Sequence, residues 1–494
     1  MSLGPTLPGV NDITSNRTVR LCSEIPIPSS YWGMNIADQP SFVDIPNLKT
    51  VNIGDSVCVR VVVTESEYKP SMVYMPVPNS PWDSVLLDLV GTSTGISIPV
   101  HLQMSPHVNN YQPGVAHVYE ADVVLRDVDV YIPEGYIEFR NGQWNAEGNA
   151  TLPLLIPEKI FIAEELKVNV ADVDGTSKYS LQRYMELPLC RSMDMEGRWI
   201  QKEVLPFHRV LVPAADNHGR VWLPYHCRLR RIAYAEFGKC LVQRHPMLHW
   251  FGDSNTRRAL KKITSLGEWC ARSEEKDQRF CMCEDYLQPF NRFNEHSREV
   301  FIDMDPVAGG IMPSGWFYPT IAPANKSRII AFKMEGVTHI NIPPWQERFN
   351  LGITQKYGTP NTVIISLVNW DMAMSTMAAF AIELDKLIEH ISKSYPNSTE
   401  LIIRTGQYFS GPTDQSPTKR KFSRMRGILM NKYVENAFKL KFGHSRAIRV
   451  WDVAAIAERR PIIARKEASM CISNHARAEM VEIENQILFN GLCN

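Results

Sequence analysis

The chain has 494 residues, a length that calls for two or three domains and excludes a single small module. Its 53 basic side chains balance its 53 acidic ones, and 44% of the residues are hydrophobic against 21% charged, which excludes a disordered polar chain and an electrostatic nucleic-acid binder. The longest apolar stretch, residues 362–384, is interrupted by Asn369 and Asp371, so no transmembrane segment is expected. The first residues, MSLGPTLPGVNDITSNR, lack the basic flank and apolar run of a signal peptide, which leaves a cytosolic chain or a leader outside this sequence as the two expectations.

Residues 1–45 are rich in Pro, Ser and Asn without periodicity and read as an extended segment held by occasional apolar contacts. From 46 to 175 short runs alternate with a period of two: 57–63, 84–90, 96–102, 117–125, 136–140 and 160–170, separated by Gly, Pro and Asn clusters. That spacing predicts an all-β immunoglobulin-like sandwich. After a polar linker near 174–182, residues 185–494 alternate short apolar runs with longer helical patterns, the signature of a doubly wound α/β/α domain. Strands are predicted at 248–252, 329–332, 363–368, 401–404 and 447–451. Helices are predicted from about Asn255, over 372–392 as one unit, and over 479–492 with one apolar face.

The sharpest local feature is His249-Trp250-Phe251-Gly252-Asp253-Ser254-Asn255-Thr256-Arg257. An apolar strand runs into Gly-Asp-Ser and straight into a helix, which puts Ser254 where backbone N–H groups and the positive helix end face a developing oxyanion. Gly252 permits the tight turn, and Arg257 returns to the same face one turn later. The plainer reading is that Asp253 and Ser254 cap the helix. A nucleophilic serine needs a base, and among thirteen histidines His475, on the loop ahead of the terminal helix, is the best placed. His245 and His249 lack the zincin pattern and read as structural.

These motifs resemble a known family. GDSNTR after an apolar strand is similar to the first block of SGNH (GDSL-type) hydrolases. With PLCRSMDMEGRWI at 188–200 and WLPYHCRLRRIAYAEFGKCL at 222–241, the text resembles the PC-esterase branch, which includes polysaccharide O-acetyltransferases and the neurexophilin and PC-esterase domain proteins. The resemblance covers about 185–494 and, more loosely, the β-domain before it. It implies Ser254 as nucleophile, His475 as base, and VIISLVNWD at 363–371 as a site-lining block in which Asn369 donates to the oxyanion beside Arg257 and the Ser254 N–H. It further implies an acetyl-serine intermediate, an acetylated glycan or polysaccharide as partner with an acetyl donor still to be defined, no cofactor or metal, and a lumenal or secreted location. The sequence departs from the family at the acid: the Asp expected three residues before the histidine is Ile472. A backbone carbonyl, second to it Asp452, or Ser473 then orients His475, and the alternative is an inactive glycan-binding protein that keeps the fold. Trp316, Tyr318, Trp345 and Trp370 are available for stacking on sugar rings or for core packing.

Ten cysteines without CxxC pairs predict disulfides rather than zinc, with Cys471–Cys493 bracketing the terminal helix and a further pairing among Cys190, Cys227 and Cys240. Sequons stand at Asn16, Asn149, Asn325 and Asn397. The basic run at Lys419, Arg420, Lys421, Arg424 and Arg426 reads as a solvated loop ahead of the alternative, a site for an anionic glycan.

Overall fold

A computed structural model describes residues 21–31, 34, 39–46, 50–64, 83–105, 116–139, 158–164, 166–172, 181–207, 212, 214–264, 267, 297–303, 326–338, 344–349, 352–407, 424–460 and 476–494. Within these, the first part of the chain is all β. Strands β1 (Phe42–Asp44), β2 (Val51–Asn52), β3 (Ser56–Val63), β4 (Ser84–Gly91), β5 (Ser97–Pro99), β6 (Gln103–Met104), β7 (His117–Val124), β8 (Asp129–Phe139), β9 (Glu158–Lys159) and β10 (Val168–Ala171) form two sheets. One has the order β1-β3-β7-β6, the other β2-β10-β8-β4-β5 with β9 paired to β8. The two-residue period of β3 sends Val57, Val59, Val61 and Val63 into a core shared with Leu87, Leu89 and Tyr131 of the opposing sheet. Its other face is covered too. Cys58 is disulfide-bonded to Cys22, and Arg60 donates to the carbonyls of Cys22 (3.0 Å) and Pro26 (3.2 Å), so the N-terminal segment is fastened to the sheet. That segment also contributes β1, a strand within a stretch expected to be extended, paired with β3.

A two-stranded hairpin follows, β11 (Gly197–Gln201) with β12 (Arg220–Pro224). Its alternation serves two cores at once: Ile200, Val221 and Leu223 enter the sandwich core, while Trp199 and Trp222 enter the core of the next domain. Trp199 Nε1 donates to Ile456 O at 2.8 Å. Polar groups join the domains as well. Arg198 pairs with Asp127 at 2.9 Å, and Arg424 reaches Leu87 O (3.0 Å) on one side and Glu458 (2.8 Å) on the other.

The rest of the chain is an α/β unit. In order it runs α1 (Tyr234–Arg244), β13 (Met247–Gly252), α2 (Ser254–Thr264), β14 (Ser297–Asp303), β15 (Lys326–Lys333), α3 (Trp345–Arg348), α4 (Ile353–Tyr357), β16 (Thr362–Ser366), α5 (Asn369–Met374), α6 (Met377–Ser394), β17 (Glu400–Arg404), α7 (Arg424–Phe442), β18 (Ile448–Trp451), α8 (Val453–Glu458) and α9 (Ala478–Cys493). The sheet order is β14-β15-β13-β16-β17-β18, parallel except for β14 at the edge. Leu248, Trp250, Ile364 and Ile402 pack on one face with residues of α1, α2, α8 and α9, while Phe251, Val363, Ile365 and Ile403 pack on the other with residues of α3 to α7. Both faces are buried, which is why these strands read as continuous apolar runs. The chain leaves β13 to one side for β15 and then crosses to the other for β16. The crevice between β13 and β16 at their C-terminal ends is therefore the topological switch point.

Three expectations are corrected. The helix expected over 372–392 is two helices, because Thr376 caps the second by accepting from Ala379 N at 3.2 Å. Cys493 pairs with Cys240, not Cys471, because α1 packs on α9 through stacked Phe237 and Phe489, 3.8 Å between centroids, and brings Cys240 to the last turn of α9. Cys190–Cys227 forms within the expected trio. Finally, Arg424 and Arg426 are not solvated but buried, while residues 419–421 lie outside the described part.

The Cys240–Cys493 bond closes a loop of 253 residues. Replacing Cys493 by Ser is expected to lower unfolding stability by about 2–5 kcal/mol in a urea titration. Peptide mapping of the unreduced wild type should recover a Cys240–Cys493 linked pair.

Candidate active site

Every predicted site residue within the described part lies on or beside the C-terminal edge of the parallel sheet. β13 ends at Gly252, and α2 begins at Ser254 without an intervening loop. Asp253 makes this possible: its Oδ1 accepts from Asn255 N (3.0 Å), Thr256 N (3.2 Å) and Thr256 Oγ1 (3.3 Å). It is the N-cap of α2, and Ser254 is the first helical residue. Gly252 is obligatory on steric grounds, since a Cβ there would stand 2.5 Å from Thr256 Oγ1. Ser254 and Arg257 are partly exposed at this first turn, whereas Asp253, Asn255 and Thr256 are buried.

One strand over, β16 ends at Ser366, and Leu367 and Val368 lead into Asn369, the first residue of α5. Val368 adopts φ +81°, a strained conformation for a β-branched residue. It is held from two sides. Asp371 accepts from Val368 N (3.3 Å), Val337 N (2.9 Å) and Thr338 N (2.8 Å), and Gly406 packs so closely that a Cβ would lie 2.7 Å from Val368 Cβ. Burial pushes the Asp371 carboxyl up, and these donors oppose the shift. The strained residue delivers Asn369 to the switch point, where its Nδ2 donates to Asp253 Oδ2 at 2.8 Å and its Oδ1 accepts from Gln407 N at 2.7 Å. An amide nitrogen carries two hydrogens, and the bond to Asp253 engages one.

The backbone at Ala476, two residues ahead of α9, reaches the same place. His475 and Ile472 lie outside the described residues. Ala476, next after His475 in the chain, donates its N–H to Asn255 Oδ1 (3.0 Å) and its carbonyl accepts from Arg258 Nη1 (2.6 Å). Two residues further, Lys262 Nζ donates to Ala478 O at 3.0 Å. The helix that starts at Ser254 thus grips the backbone beside His475. Asp452 lies farther along the edge, after β18. It caps α8, accepting from Ala455 N (3.0 Å) and Thr405 Oγ1 (3.1 Å), and burial raises its pKa against the pull of those donors.

Among the aromatics weighed for sugar stacking, Trp345 is a core residue, 2% exposed, with Nε1 donating to Val337 O at 3.0 Å. Trp370 is partly exposed beside Asn369, and Trp316 and Tyr318 lie outside the described residues.

Sequence reasoning missed a buried polar group beneath the switch point. Glu484 of α9 pairs with Arg404 at 2.8 Å and accepts from Gln407 Nε2. Burial raises the Glu484 carboxyl while Arg404 pulls it back. One signal was available: α9 carries Glu484, Asn485, Gln486 and Asn490 among apolar residues, and all four are buried. It is a helix enclosed on nearly all sides rather than an amphipathic one, so those polar groups need internal partners. Asn485 donates to Ala259 O (3.2 Å) and Gln486 to Ile232 O (2.8 Å).

No protein-family model matches the chain, and no curated protein matches it.

Two histidines of this region are engaged by neighbouring side chains. His245 Nδ1 pairs with Thr362 Oγ1 at 2.8 Å. His249, fully buried in the middle of β13, pairs through Nδ1 with the Tyr395 hydroxyl at 2.8 Å amid Phe251, Phe332 and Tyr357. Burial, reinforced by the Arg328 cation, lowers its pKa to about 3. The unfolded chain therefore binds a proton that the folded one refuses, so this contribution to stability is complete above the ordinary histidine pKa of about 6.5 and is lost as pH falls toward 3. Urea unfolding across this range should show wild type losing stability more steeply than His249→Phe, by up to about 1.4 kcal/mol per pH unit. Parallel pH slopes would contradict the assignment.

Proposed function

We propose that the chain is a serine-dependent carbohydrate O-acetyltransferase or acetylesterase of the SGNH kind, acting through an acetyl-Ser254 intermediate. The observation that carries this reading is Ser254 at the first position of α2, at the switch point, tied through Asp253 to Asn369 and flanked by the clamped backbone beside His475. In the first step Ser254 Oγ attacks the acetyl carbonyl carbon and His475 takes the hydroxyl proton. The oxyanion accepts from the Ser254 N–H, Asn369 and Arg257. Collapse expels the donor's alcohol, which receives the proton from His475. A sugar hydroxyl or water, deprotonated by His475, then attacks the acetyl-serine carbonyl carbon; the acyl–Oγ bond breaks, His475 returns the proton to Ser254 Oγ, and an acetylated glycan or acetate leaves. With Ile472 in place of the acid, a backbone carbonyl is the first choice to orient His475, and Asp452, already committed as a helix cap, is the second.

The reading calls on no cofactor. It takes the sandwich as immunoglobulin-like and places the chain in the secretory lumen or outside the cell, which the three disulfides among the described residues favour. Among the described residues no helix is long and apolar enough to cross a membrane. A second reading, an inactive glycan-binding protein, is favoured by one observation, Ile472 at the acid position.

Intact mass after incubation with a fluorophosphonate separates the two. We expect a single adduct on wild type, none on Ser254→Ala, and labelling slowed about 10³-fold in His475→Ala. An unlabelled wild type would overturn the enzymatic reading in favour of the binding protein.

A further inference from the structure

The proposed oxyanion amide of Asn369 does not set its own orientation. Its Nδ2 donates to Asp253 Oδ2 and its Oδ1 accepts from the main-chain N–H of Gln407, and the two bonds together decide which end of the amide faces the Ser254 turn. Gln407 is held in turn by two helices from opposite sides of the sheet. From α7, the Asn431 side chain grips both backbone groups of Gly406: Gly406 N donates to Asn431 Oδ1 at 2.7 Å and Asn431 Nδ2 donates to Gly406 O at 3.0 Å. From α9, Glu484 accepts from Gln407 Nε2 while pairing with Arg404 at the end of β17. Arg404 lies over the Trp451 ring, 5.1 Å from its centroid. Gly406 also supports strained Val368, which a Cβ at 406 would displace.

Asn369, Gln407, Arg404 and Glu484 are all buried to within 2% exposure. A buried ion pair of this kind is poor value as a source of stability, because apolar side chains of similar volume serve as well or better, and its best use is to impose one arrangement. Here the arrangement imposed is that of residues 404–407. We propose that Asn431, and Glu484 through Gln407, are positioning residues that hold the 406–407 backbone so that the Asn369 amide presents its nitrogen to the reacting acetyl group. The inference rests on the serine-esterase reading given above. It adds to that reading a two-helix support for one oxyanion donor.

The test uses the full chain and a chromogenic acetyl ester, with rates expressed per serine titrated by fluorophosphonate. Misfolded molecules then drop out of the comparison. Asn431→Ala and Gln407→Met leave the Arg404–Glu484 pair intact. Each is expected to lower kcat per titrated serine about tenfold with KM unchanged, and to leave the acid limb of the pH–rate profile where it is in wild type. Asn369→Ala should cost about 10²-fold. Because Asn431 acts through Asn369, the Asn369→Ala/Asn431→Ala double variant should be no slower than Asn369→Ala alone. Unchanged rates in Asn431→Ala and Gln407→Met, or losses that multiply in the double variant, would overturn the positioning role while leaving the serine chemistry standing. A wild type with no titratable serine would overturn both.

Discussion

The site depends on one carboxylate. Asp253 uses one oxygen to cap α2 and the other to bind Asn369, so the turn that presents Ser254 and the turn that presents Asn369 are a single hydrogen-bonded unit across adjacent strands. The plainer reading of Asp253 as a helix cap and the functional reading of its neighbour do not compete. A helix can follow a strand without a connecting loop only if its orphan N–H groups are satisfied locally, and satisfying them with Asp253 leaves the side chain of the next residue free of that duty.

Around this unit the sheet edge is stiffened at some cost in local free energy. Val368 occupies a conformation that no β-branched residue prefers, and it is over-determined by Asp371 on one side and Gly406 on the other. Strain held this firmly at the mouth of a parallel sheet is characteristic of a place where one side chain must point in one direction. The second helix layer contributes as well: α9, fixed to α1 by the Cys240–Cys493 disulfide, inserts Glu484 beneath the edge and carries at its start the backbone gripped by Asn255 and Arg258.

Among the described residues, the sandwich packs on the α/β unit through a hairpin with two apolar faces. Trp199 and Trp222 on one face and Ile200, Val221 and Leu223 on the other make the two cores neighbours across a single ribbon, and Arg424 crosses the same boundary from α7 to the β4 backbone. The basic run expected to be solvated contributes Arg424 to that junction because its guanidinium finds Glu458, Asp88 and a main-chain carbonyl there. Isolated charge runs carry no information about such partners.

The sequence by itself determined where the chain changes from period-two strands to α/β alternation, and it placed Gly252, Asp253 and Ser254 at a strand-to-helix junction. Those features are local: pleat periodicity, a glycine forced by the Thr256 contact and an N-cap are written within a few residues. Asn369 is singled out only through the family resemblance of residues 363–371; the structure puts it at the start of α5, three residues after β16 ends. Only the tertiary structure decided that Cys493 meets Cys240, that α6 stops short of α5 at the Thr376 cap, that α9 is enclosed rather than amphipathic, and that Glu484, Gln407 and Asn431 converge on Asn369. Partners separated by tens to hundreds of residues have no period or spacing in common, and they are brought together only when the sheet order and the two helix layers are set.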